Sequence, residues 1–84
     1  MHEMMWLRVD LDDGMFPHER AVSFQNADGE SVSLFVHDER VEVKGSRILV
    51  RVLEFNDRLG LIELPAQNMS GSSVVRVQRS ALEK

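Results

Sequence analysis

Apolar and polar residues alternate along most of this chain, and the alternation has a period of two. Leu7, Val9 and Leu11 fall on one side of an extended backbone, while Arg8, Asp10 and Asp12 fall on the other. That is the pattern of a strand with one buried and one wetted face. Asp12-Asp13-Gly14 closes it with turn-forming residues. Met15-Phe16-Pro17-His18-Glu19 reads as a connector, because proline has no ladder donor and holds its predecessor extended. Val22 and Phe24 share a face in the next strand. Asn26-Ala27-Asp28-Gly29 then predicts a hairpin turn, with glycine free to take a positive φ. Val32, Leu34 and Val36 resume the alternation, with Phe35 on the opposite face. His37-Asp38-Glu39-Arg40 predicts another turn. Val41 and Val43 predict a brief strand, closed by Lys44-Gly45-Ser46.

The densest apolar signal lies in the second half. Arg47 to Phe55 and Leu59 to Leu64 flank the polar turn Asn56-Asp57-Arg58, which predicts a long β-hairpin. In its first strand Ile48, Val50 and Val52 share one face. Leu49, Leu53 and Phe55 take the other, with Arg51 among them. A strand apolar on both sides is usually covered on both. Pro65 stops the second strand, residues 67–73 read as a loop, and Val75 and Val77 mark a last strand. Ser80-Ala81-Leu82-Glu83 has the spacing of a capping box, but one residue comes after it, so at most a single turn is expected. No segment sustains a helical period. About seven short strands with short connections predict an all-β fold, either a small antiparallel β-barrel or a two-sheet sandwich. Residues 1–84 make one domain, and strands adjacent in sequence are expected to pair antiparallel.

Composition narrows the setting. The absence of cysteine excludes disulfides and thiolate metal sites, and it points to a reducing, cytoplasmic compartment. No apolar run has the length of a membrane span, and the N-terminus lacks the pattern of a secretory signal. Asn68-Met69-Ser70 matches a glycosylation sequon, which has a use only on a secretory route. The net charge of −4 is unevenly spread: residues 1–42 carry ten acids and three bases, residues 43–84 four acids and seven bases. Either the two halves interleave within one sheet and pair across strands, or they form separate acidic and basic faces.

Candidate chemistry is sparse. His18 lies beside Glu19, and His37 beside Asp38 and Glu39, with Asp12 and Asp13 near His18 in sequence. Such residues would suit a divalent metal if the two connectors converged, although nothing in the spacing requires that they do. No serine sits in a nucleophile elbow, and Ser70-Gly71-Ser72-Ser73 lacks the lysine and helix of a phosphate-binding loop. The adjacent carboxylates Asp12/Asp13 and Asp38/Glu39 point to opposite faces of an extended chain. No enzymatic activity and no cofactor are therefore expected. Two binding readings remain. Arg47 and Arg51 share a strand face, and with Arg76 they could line a phosphate-binding stripe for nucleic acid if their strands were neighbours. Alternatively Phe35, Leu49, Leu53 and Phe55, with Arg51 set among them, form an exposed apolar area that a second copy or another protein covers. The sequence thus favours a non-catalytic interaction module, a homodimer or a docking domain, with nucleic-acid binding and a metal-dependent activity as alternatives.

Overall fold

A computed structural model describes residues 3–14, 16–66 and 71–84; the sequon at Asn68 lies outside them. Among these residues the chain forms nine strands and no α-helix. They are β1 (Glu3–Arg8), β2 (Asp10–Asp13), β3 (Glu19–Gln25), β4 (Ser31–His37), β5 (Val41–Glu42), β6 (Arg47–Phe55), β7 (Leu59–Glu63), β8 (Val74–Gln78) and β9 (Leu82–Glu83). Two antiparallel sheets result. The larger runs β8-β7-β6-β1-β9, with β5 also paired to β6, and the smaller runs β2-β3-β4. The architecture is the sandwich rather than the closed barrel.

The alternation from Leu7 to Leu11 predicts one strand, and the structure divides it in two. β1 pairs with β6 from Glu3↔Val52 to Arg8↔Arg47, whereas β2 pairs with β3 from Asp10↔Ser23 to Asp13↔Arg20. The chain changes sheets at Val9, which is buried and donates its N–H to the Ser46 carbonyl at 2.9 Å. The side chains keep their phase through this corner, so the hydrophobic pattern carries no trace of it. Sequence neighbours fail to pair at three places: β1 joins β6 and β9 instead of β2, which the corner explains, β5 joins β6 instead of β4, and β9 joins β1 instead of β8. Ser46 sits at φ 50°, a left-handed conformation that costs a non-glycine residue about 1–2 kcal/mol. Gly45 answers a different need. A Cβ there would lie 2.6 Å from Glu42 Oε1 and 3.1 Å from Arg47 Nε, in the path of the ion pair between them.

The core lies between the sheets. Leu7, Ile48, Val50, Ile62 and Val77 of the larger sheet meet Val22, Leu34 and Val36 of the smaller, and all eight are essentially inaccessible. Among the described residues no polar or charged residue is buried with them. Hydrophobic burial is therefore the main cohesion between the sheets, at roughly 25 cal/mol per Å² of apolar surface removed from water.

β6 and β7 do not pair evenly. Arg51↔Glu63 and Val52↔Ile62 give way to Glu54↔Leu61 and Phe55↔Gly60, leaving Leu53 as an extra residue in a β-bulge. The bulge reverses the facing of the residues beyond it. Phe55 therefore stands on the core side of Gly60, where a Cβ would lie 3.8 Å from the Phe55 Cβ and 3.9 Å from Val77 Cγ2. The same Cβ would lie 2.7 Å from Leu82 Cδ1, so the bare glycine leaves room for β9 to seat Leu82 in the core. The capping-box segment does not start a helix. It contributes a 3₁₀ turn at Arg79–Ala81 and then β9, paired to β1 through Trp6↔Glu83 and Leu7↔Leu82.

These positions separate core from surface. Leu34→Ala should cost about 2–5 kcal/mol in urea unfolding, whereas Leu53→Lys should stay folded and cost about 1 kcal/mol or less. Equal losses would place Leu53 in the core.

Candidate interaction surface

The apolar residues singled out from the sequence do not form one surface. Phe35 belongs to β4 in the smaller sheet, while Leu49, Arg51 and Leu53 lie on the outer face of the larger one. Phe55 leaves their row because the bulge at Leu53 turns it over, and the Arg79 guanidinium stacks on its ring at 4.8 Å. Leu49 is half-buried opposite Trp6 of β1. Arg51 finds its carboxylate within the chain, Glu63 of β7 at 3.7 Å. Four exposed apolar residues escape sequence reasoning, Met4, Phe16, Val43 and Val74, and the two most exposed lie outside the strands. Phe16, 67% exposed, sits in a segment legible only as a connector. The alternation predicts a strand that includes Val43, but β5 ends at Glu42 and Val43 stands open in the turn beyond, at 55% exposure.

The arginines do not form a continuous stripe either. β7 separates β6 from β8, so Arg51 and Arg76 are not on neighbouring strands. Across the outer face Arg76 is opposite Leu61, Leu61 is opposite Glu54, and Glu63 is opposite Arg51. Carboxylates therefore punctuate the row. Arg47 is the most engaged. Its Nε and Nη2 donate to the two carboxylate oxygens of Glu42 at 3.0 and 2.9 Å, and its Nη1 donates to Glu83 at 3.3 Å. The hydrogen bond to Glu42 raises the Arg47 pKa above its ordinary value. Partial burial opposes the rise, and the charges of Glu42 and Glu83 add to it. The same guanidinium lies 4.7 Å over the Trp6 ring, occupying the face a nucleobase would need. The charge asymmetry maps onto the fold only on the acidic side. The smaller sheet and its turns carry Asp10, Asp12, Asp13, Glu19, Asp28 and Glu30 against Arg20, whereas the strands of the larger sheet balance Arg8, Arg47, Arg51 and Arg76 with Glu3, Glu42, Glu54, Glu63 and Glu83.

The histidines do converge. The pairing Glu19↔His37 and the hydrogen bond from Asp38 N to His18 O, 2.9 Å, bring the two connectors together. The His18 and His37 rings stack at 6.4 Å between centroids, 22° apart. His37 Nδ1 accepts from Glu39 N at 3.3 Å. Two of the nearby carboxylates are engaged elsewhere: Arg20 holds Asp13 at 3.3 Å and Asp38 at 3.4 Å. Among the described residues no group of three or more histidines and acids is placed to hold a metal ion.

The sheet edges differ sharply. The β8 edge is partly covered, since Ala27 N donates to Arg76 O at 2.8 Å and the Gln78 amide reaches Ala27 O at 3.5 Å. β9 has two residues, too few to template a strand. β2 has four residues, three of them aspartates, a charge density that discourages pairing. β4 has seven, and between Ser31 and Val36 it contains no charge, no proline and no bulge. Its hydrogen-bond phase is fixed at both ends, by Asn26 N to Glu30 O and by Asp38 N to His18 O, each 2.9 Å. Antiparallel ladders alternate, so Val32, Leu34 and Val36 bond to β3. Ser31, Ser33, Phe35 and His37 direct their N–H and C=O groups outward. Among the described residues no backbone group bonds β4 on that side.

The chain matches no family model, no curated protein and no solved structure. Among the described residues no helix is long and apolar enough to cross a membrane.

Two measurements check this geometry. In dilute protein the amides of Ser33 and Phe35 should exchange with deuterium much faster than those of Leu34 and Val36; equal protection of all four would mean the edge is covered. Zinc titration should give no submicromolar site, since two imidazoles leave a tetrahedral ion half-liganded. Tight binding abolished by His18→Ala would show that a third ligand exists.

Proposed function

We propose that this protein is a non-catalytic interaction module that docks a protein strand on the free edge of β4. The observation that carries the reading is the backbone of Ser31, Ser33, Phe35 and His37, unpaired among the described residues along a seven-residue edge. An open, uncharged edge offers alternating donors and acceptors, and an added strand takes its affinity from those main-chain bonds. The other edges of the molecule are short, charged or partly covered, so β4 stands apart from them. Phe35 remains in the surface as a half-buried ring on the outer face beside Ala21. Leu49, Arg51 and Leu53 lie on the other sheet and play no part in it. Arg47 and Arg51 are paired with carboxylates of their own sheet, which disfavours a phosphate-binding stripe of Arg47, Arg51 and Arg76.

A synthetic peptide with the sequence of residues 30–37 is a suitable probe. It should bind in the micromolar range and slow deuterium exchange at Ser33 and Phe35 while leaving Leu34 and Val36 unchanged. Ser33→Pro should abolish the binding and leave the circular dichroism intact, since the Ser33 N–H bonds nothing within the sheet. If roughly 100 μM peptide leaves those amides unprotected, affinity falls short of even weak docking and the edge is not a binding surface.

A further inference from the structure

Resting on that strand-addition reading, we infer that the strand received carries lysine or arginine at its ends and no charge between them. The open ladder is the site, and the charges around it select the occupant. From Ser31 to Val36 the strand β4 has no ionisable side chain. Its outer-face neighbours there, Ala21, Ser23 and Gln25 of β3, have none either. Charge begins where the strand ends. Asp28 and Glu30 stand exposed at the Ser31 end, and the turn that carries them contains no base. Glu19, Asp38 and Glu39 gather at the His37 end, against Arg20 and Arg40. Both ends therefore hold more acid than base.

The cations that border β4 do not reverse this balance. Arg20 lies between Asp13 at 3.3 Å and Asp38 at 3.4 Å, one guanidinium for two carboxylates. Arg8 lines a cleft with Gln25 and Ser31, but its Nε is paired with Glu83 at 3.4 Å. Arg76 gives its carbonyl to Ala27, while its side chain stands on the outer face of the larger sheet, opposite Leu61. Asp10 and Asp12 lie two strands away in β2. At roughly 10 Å they add the same sign more weakly.

The seven residues of β4 span roughly 20 Å, more than twice the screening length in physiological salt. Each end therefore acts on its own part of the partner. Main-chain bonds to Ser31, Ser33, Phe35 and His37 are common to any added strand, so the ends supply the difference between strands. An acidic strand is repelled at both ends. A second β4 is such a strand, since it brings Asp28, Glu30, Asp38 and Glu39 with Arg40 as the one base between residues 28 and 40. A strand with basic ends is attracted at both, whichever way it runs. On the core side Val32, Leu34 and Val36 form an apolar row, which calls for apolar residues at alternate positions in the partner's middle.

Two peptides test the selection, each with alternating threonine and valine in the middle, one with paired lysines at both ends and one with paired glutamates. At pH 8, where imidazole is neutral, the lysine peptide should bind the full chain about tenfold more tightly and slow deuterium exchange at Ser33 and Phe35. Salt at roughly 0.5 M should remove most of that preference. Asp28→Asn combined with Glu30→Gln should reduce it several-fold, as should Glu39→Gln, while Asp57→Asn on the far hairpin should leave it unchanged. Equal binding of both peptides, with Ser33 and Phe35 protected, would overturn the basic partner and leave strand addition standing. A preference that survives all the β4 end variants would also overturn it. Protection of Ser33 and Phe35 by neither peptide would overturn both readings, as would lysine-peptide binding that persists in folded Ser33→Pro. A wild-type dimer dispersed by Ser33→Pro would show that a second copy fills the edge, and would overturn the basic partner.

Discussion

The packing of Leu7, Ile48, Val50, Ile62 and Val77 onto Val22, Leu34 and Val36 is the interaction on which the rest of this structure depends. A chain of 84 residues has one small core and no second source of comparable cohesion. It has no cysteine to crosslink, and among the described residues no buried polar network ties sheet to sheet. Each sheet is amphipathic and stable only against the other. That requirement explains why Val9 carries the chain across without changing phase, and why Gly60 is bare where Leu82 must enter. It also explains why Ser46 tolerates a left-handed backbone, since its carbonyl receives the Val9 N–H at the corner.

Charge is arranged around this core, not within it. On the outer face of the larger sheet Arg47 gathers Glu42 and Glu83, Arg51 reaches Glu63, and Arg8 shares Glu83 at 3.4 Å. Exposed pairs of this kind each contribute little to stability. Their effect is to hold the Arg47 guanidinium over Trp6 and to give Arg8, Arg47 and Arg51 carboxylate partners within their own sheet. The smaller sheet has the opposite character. Its outer face is acidic at β2 and populated by Ser31, Ser33 and Phe35 at β4. One sheet is finished on its surface, and the other ends in an open ladder.

Much of the fold was legible in the sequence and much of the surface was not, for one physical reason. Period-two alternation reports which side of a strand is buried, so the inward sets Ile48/Val50/Val52 and Val32/Leu34/Val36 could be read directly, as could the turns at Asn26 and Asn56. Alternation does not report which sheet a strand joins. Phe35 and Leu49 therefore looked like members of one patch although they stand on opposite sheets, and the division at Val9 was invisible. A bulge is equally silent: Phe55 keeps its place in the written pattern while the extra residue at Leu53 turns it over. The meeting of His18 and His37 depends on the β3–β4 register, which no spacing rule supplies. The open edge of β4 needed the full strand order, because an edge is defined by the absence of a neighbour.

The division of labour between the sheets also sets an order of events along the folding path. The smaller sheet is built from contacts close in sequence: β3 and β4 are joined by a five-residue connection, residues 26–30, and β2 lies just before β3. The larger sheet closes only when β1 finds β6 and then β9, across most of the chain's length. Local hairpins form in microseconds, and distant pairings wait on the entropy of closing long loops. The loop-closure cost of the fold therefore falls mainly on joining β1 to β6 and β9, and the pairings of β4 are among the cheap ones. The open edge of β4 thus belongs to the sheet with the more local pairings, and losing the distant β1–β6 contacts removes the support beneath that edge without removing the residues that form it.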